Sequence, residues 1–160
     1  MTEPKRPVSI YLIYAQKDET LKQEFEDYLA IMQQTNLISG WVERQVQRGT
    51  DWSQVVDSRL LAADLVLVLV SPGLVASGYC YGAEISAAFK RSEKEETRII
   101  PIILHYVNLT GTPLERVQFL PTGARPVSSW PVRSEAWWNI DRALRDVIRQ
   151  YSQQQWSGQP

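Results

Sequence analysis

The sequence predicts an α/β protein built on an open, doubly wound parallel sheet, and three observations point there. Residues 8–14, Leu65–Val70 and 98–104 are largely apolar runs without alternation, which is how strands buried on both faces read. Between them lie stretches whose apolar residues recur at helical spacing. The chain has 160 residues and is 44% apolar, which suits one domain with a substantial core.

Each element follows from its residues. VSIYLIY at 8–14, after the stiff KRP segment, is the first strand. Asp18 stands as N-cap of a helix through about residue 33, where Leu21, Phe25, Tyr28, Leu29 and Met32 form one stripe. A short strand at 37–42 leads into a polar loop at 43–49 that carries Glu43, Arg44, Arg48 and Gly49. Thr50 or Asp51 then caps a helix with Trp52, Val55, Val56, Leu60 and Leu61 on one face. Leu65–Val70 is the central strand, broken by Ser71, Pro72 and Gly73.

Ser77 is read as the N-cap of a helix starting near Gly78, on which Glu84 shares a face with Cys80, Tyr81, Ala87 and Ala88. A carboxylate among small and apolar neighbours is not a routine solvated charge. The charged stretch at 92–98 is a solvated turn, and RIIPIIL at 98–104 is the fourth strand. Pro101 withholds one ladder hydrogen bond, so that strand belongs at an edge or carries a bulge. Residues 105–125 are irregular, and 125–130 is a fifth, short strand. Ser134 caps a last helix with the stripe Trp137, Ile140, Leu144, Val147, Ile148 and Tyr151. Five strands with right-handed crossovers favour a flavodoxin-like order, 2-1-3-4-5, with helices on both faces. The expected organisation is a tail at 1–7, one domain at 8–151, and a polar, Gln-rich tail or linker to another domain at 152–160.

Composition narrows the function. A net charge of −1 leaves no cationic field for neutralising nucleic-acid phosphates. No apolar run approaches the roughly 20 residues that span a bilayer, and MTEPKRP lacks the apolar centre of a signal peptide, so a cytoplasmic protein without membrane partners is expected. The single Cys80 and the single His105 cannot assemble a Cys/His metal site. A receiver-type sensor needs acidic residues where Tyr14, Ala15 and Gln16 end the first strand, and is set aside.

Several blocks, in this order, resemble a bacterial TIR (Toll/interleukin-1 receptor) domain. They are the first strand with its following KDE, WVER at 41–44 with Gly49 and Trp52 beyond, SPGLVASGYCYGAE, RIIPIIL, and PVSSWPVRSEAWW. Two departures stand out: Ile13 and Ala15 replace serines common in the family's first block, and Arg48 stands where a proline often precedes the loop glycine.

The resemblance implies that 43–49 is the family's BB loop and that Glu84 occupies the position of the catalytic carboxylate in its enzymes. Those enzymes cleave nicotinamide from NAD+, their substrate, at the ribose anomeric carbon, and no further cofactor is implied. The leaving group is a neutral pyridine, so only the developing oxocarbenium ion needs stabilising, and one desolvated carboxylate suffices. Tyr14, Ala15, Gln16, Arg44, Ser71 and Cys80 are the residues the resemblance places around that cleft. Plainer alternatives stand beside several of these roles: Glu84 as a surface ion pair, Tyr14 as core packing, Cys80 as an inert thiol, Arg44 and Arg48 as solubilising charge. The implied function is an NAD+ glycohydrolase activated by self-assembly through the BB loop, in bacterial defence or cell-death signalling. The alternative is a TIR interaction module without catalysis.

Overall fold

The computed structural model describes residues 6–157. Four parallel strands form one sheet in the order β2-β1-β3-β4, with β1 Val8–Ala15, β2 Ile38–Val46, β3 Leu65–Val70 and β4 Arg98–Ile103. Every residue of β3 is buried, as its unbroken apolar run requires. Side chains alternate between two cores. Ile10, Leu12, Tyr14, Leu65, Leu67 and Leu69 meet α1 Glu19–Gln34 and α4 Arg133–Ser157, where Trp137 stacks on Phe25 at 5.3 Å. Tyr11, Ile13, Ala15, Val66, Val68 and Val70 face the other way, toward Trp52, Leu74, Tyr79 and α3 Ala83–Glu93.

Several expectations are corrected. The fifth strand does not form among the described residues: 125–130 contains Pro126, which has no N–H to give a ladder, and Val127–Ser129 closes a 3₁₀ turn instead. Leu120 pairs with the outer edge of β4 through an isolated bridge to Ile102. Pro101 is accommodated because β4 is the last strand of the sheet. β2 runs on to Val46, since β1 offers pairing positions as far as Ala15, opposite Val46. The expected loop at 43–49 is therefore strand up to Val46, with the turn at Arg48 and Gly49.

The helix expected from Thr50 or Asp51 is absent: 51–59 carries no regular structure and ends in the 3₁₀ turn Leu60–Ala62. Beyond β3, Ser71 rather than Ser77 caps a helix, accepting from the Leu74 amide at the start of α2 Pro72–Ala76. The chain then passes through the 3₁₀ turn Tyr79–Tyr81, and Gly82 separates it from α3. Glu84 consequently sits in the first turn of α3, where a carboxylate is favoured by the helix dipole. Asp18 precedes α1 but makes no capping bond; its carboxylate accepts from the Ser71 hydroxyl instead. α4 starts at Arg133, one residue before Ser134, and continues to Ser157, so 152–157 is helix where a tail was expected. The tail residues 1–5 and 158–160 lie outside the described residues. No helix among the described residues is long and apolar enough to cross a membrane.

Candidate functional site

The Glu84 side chain is 1% exposed and is surrounded by polar partners, not by the small apolar residues that helical spacing suggested. Oε1 accepts from the Tyr11 hydroxyl at 2.9 Å, from the Tyr79 hydroxyl, and from Arg44 Nε at 2.9 Å. Oε2 accepts from Arg44 Nη2 at 2.8 Å and from the Asp57 backbone amide at 2.8 Å. One carboxylate thus ties together β1, β2, the irregular segment 51–59, the turn before α3, and α3 itself.

Burial alone would raise the Glu84 pKa, but Arg44, Tyr79, the Asp57 amide and Tyr11 together hold it below the ordinary carboxylate value. The group is ionised. Burial and the adjoining carboxylate push the Tyr11 and Tyr79 phenols up, so both remain protonated donors. Arg44 is held by a fork of two parallel bonds to Glu84, and its guanidinium lies 5.4 Å from the Trp52 ring. Trp52 packs edge-on against Tyr79 with centroids 5.0 Å apart, and its carbonyl accepts from the Ala83 amide at 2.9 Å. Gly82 permits this approach: a Cβ there would stand 2.6 Å from the Trp52 carbonyl oxygen.

At the carboxyl edge of the sheet lies a cavity of about 240 Å³. Ala15, Gln16, Lys17, Val46, Arg48 and Gly73 are among its lining residues. Ile13 pairs with Arg44 and Ala15 with Val46, so Arg44 shares the sheet face of the cavity wall. Arg44 stands two residues, about 7 Å along the strand, from Val46. Open parallel sheets bind ligands at this edge. The volume is below the roughly 300–1,000 Å³ of ordinary ligand clefts, so this conformation admits only part of a dinucleotide.

A family model described as TIR domain (TIR_2) matches residues 10–130. This chain belongs to the TIR-domain family. It is also 30% identical over 139 residues to the uncharacterized protein y4lF of Sinorhizobium fredii, across 87% of this chain and 43% of that protein. The chain therefore spans less than half the length of this relative. No solved structure matches it.

Within the TIR domain the candidate residues divide. Glu84 and Arg44 meet, and Ala15 and Gln16 line the cavity on the same side. Tyr14 does not join them: it packs toward α1, its hydroxyl 3.3 Å from Glu43 and its ring beneath the Lys22 ammonium at 4.9 Å. Ser71 is buried, capping α2 and donating to Asp18. Cys80 is buried and its thiol is pushed up to about 11, so it is a neutral packing residue in this conformation. Tyr11, Tyr79 and Asp57 escaped the sequence reading. For Tyr11 the available signal was a phenol on the opposite face of the buried strand from Tyr14, because a buried Tyr hydroxyl needs a partner. Among the described residues no group of His, Cys, Asp and Glu is arranged to hold a metal.

Proposed function

We propose that this TIR domain is an NAD+ glycohydrolase in which Glu84 is the catalytic carboxylate and self-assembly completes the site. The observation that supports the reading is the condition of Glu84, an ionised and water-excluded carboxylate whose partner Arg44 stands two residues along β2 from Val46 of the carboxyl-edge cavity. In the reaction the bond from the ribose anomeric carbon to the pyridinium nitrogen breaks, its electron pair passing to the nitrogen, and neutral nicotinamide departs. The carboxylate stabilises the oxocarbenium ion left behind. Water adds to that carbon and releases its proton to solvent, giving ADP-ribose; attack by the substrate's own adenine in place of water gives the cyclic product. No general acid is required, which suits a site without a histidine beside the carboxylate. Lys17 and Arg48, both at the cavity, supply cationic groups for the pyrophosphate. Assembly with other TIR domains, through the turn after Val46, fits a role in bacterial defence or cell-death signalling.

A second reading, a TIR interaction module without catalysis, is favoured by the five donors that already saturate the Glu84 oxygens. Nicotinamide release from NAD+ by wild type and Glu84→Gln, at rising protein concentration and crowding, separates the two. Release that grows with assembly and vanishes in the variant supports hydrolysis. No release from wild type at any degree of assembly leaves the interaction module.

A further inference from the structure

Residues 51–59 are written as one structure and folded as another. Trp52, Val55, Val56 and Leu60 make a helical stripe, and Asp51 already makes the bond that opens a helix, its Oδ1 accepting from the Ser53 amide at 3.0 Å. Yet the segment is irregular. Three contacts hold it so: the Asp57 amide on Glu84, the Trp52 carbonyl on the Ala83 amide, and the Arg44 guanidinium against the Trp52 ring.

The irregular form is under tension from its own composition. Val56 and the adjoining Leu61 are 41% and 49% exposed, and the Trp52 indole N–H is buried with no hydrogen-bond partner. A local preference that loses to a global contact, next to the one buried carboxylate of the candidate site, marks a functional conflict. The sheet ladder itself does not depend on the segment, because β2 and β3 each pair directly with β1; what the segment adds to the core is Trp52 beside Tyr79.

We infer that 51–59 is a strap that covers Glu84 in the isolated chain and uncovers it by converting to a helix. Arg44 is the positioning residue that couples the two states, since one guanidinium grips both the carboxylate and Trp52. Helix formation draws the Asp57 amide into an i→i−4 bond and away from Oε2, which frees a lone pair of the carboxylate. The inference rests on Glu84 being the reacting group of the proposed hydrolase, and it names how that group is regulated.

Gly82→Ala is the test, because the added Cβ meets the Trp52 carbonyl oxygen at 2.6 Å and its Cβ at 2.8 Å and must displace the strap, while every residue that bonds to Glu84 keeps its identity. Amide exchange of Asp57 is expected to quicken at least about tenfold relative to wild type, with unchanged protection in β1 and β3. Cα chemical shifts of 52–59 should move to helical values. Should the substitution unfold the chain, saturation-transfer NMR on wild type gives the same answer, by finding a minor state with helical shifts confined to this segment. Unchanged exchange in a folded variant, or a released strap with coil shifts, overturns the inference, as does a wild type without a helical minor state. Nicotinamide release by the same samples keeps the two ideas apart. A strap that opens as a helix in a protein that never consumes NAD+ supports the switch and defeats the hydrolase; NAD+ consumption with an immobile strap does the reverse.

Discussion

Two buried carboxylates sit in nearly the same chemical dress at different places in this molecule, and they are supported very differently. Asp64, just before β3, accepts a two-pronged bond from Arg6 at 2.9 Å and 2.9 Å, the Ser9 amide at 2.8 Å and the Tyr151 hydroxyl at 3.1 Å. Glu84 likewise has a forked arginine, tyrosine hydroxyls and one backbone amide. But the Asp64 amide comes from within β1, its tyrosine from within α4, and its arginine is 66% exposed. Around Glu84 the arginine is only 20% exposed, and the amide comes from a segment without regular structure. The first arrangement is a clamp between finished elements. The second is a charge gripped by something that can let go.

The largest expected effect comes from removing the Glu84 carboxylate. Glu84→Gln should lower nicotinamide release by ~10²- to 10³-fold, in line with the loss of other electrostatic transition-state groups. For stability, Arg44→Ala should cost about 3–5 kcal/mol in urea unfolding, because it leaves the carboxylate buried and unpaired. Asp64→Ala should cost less, about 2–3 kcal/mol, since the exposed Arg6 it abandons can rehydrate. Equal losses at both sites would erase the distinction between clamp and grip.

Acid sharpens the comparison. Burial would raise both carboxyl pKa values, yet Arg6 and the Ser9 amide at Asp64, and Arg44 and Tyr79 at Glu84, hold both below the ordinary value. A depressed folded pKa means that the unfolded chain takes up the proton first. The stability each carboxylate contributes is therefore complete above its unfolded pKa, near 4, and is lost as pH falls through the lower folded value. In acid titrations of unfolding, Glu84→Gln and Asp64→Asn should each flatten part of that slope, and the double variant should flatten both parts additively.

Smaller effects follow from the tyrosines. Tyr11→Phe or Tyr79→Phe should cost about 1.5–3 kcal/mol as the loss of a bond to a charged group. Either should also raise the Glu84 pKa, moving its share of acid unfolding to higher pH. Tyr14→Phe, on the opposite sheet face, loses only a longer 3.3 Å bond to Glu43, so it should cost about 0.5–1.5 kcal/mol and leave nicotinamide release unchanged.

The two carboxylates also differ in how far the sequence announced them. The strands were legible because LVLVLV and VSIYLIY carry their burial in their composition, and the α1 stripe because its period is unbroken. Glu84 drew notice through the block that resembles the TIR family, and the structure buries it. The resemblance also placed Arg44 near it, but Tyr11 and Asp57 were not legible, since they lie 73 and 27 residues away and nothing local marks a pairing across that distance. Asp64 drew no notice for the same reason, with Tyr151 lying 87 residues on. The sharpest failure, the missing helix at 51–59, is a case where local pattern was correct and tertiary contacts prevailed. The absent fifth strand is a different error: Pro126 was visible and its missing N–H was given too little weight.

The most direct test sets the two acids side by side as Glu84→Gln and Asp64→Asn, scoring nicotinamide release per folded molecule in assembled protein. The account predicts that Glu84→Gln is folded and inert, while Asp64→Asn melts at lower temperature yet turns over NAD+ at the wild-type rate. Wild-type turnover by Glu84→Gln, or equal loss in both variants, would contradict it.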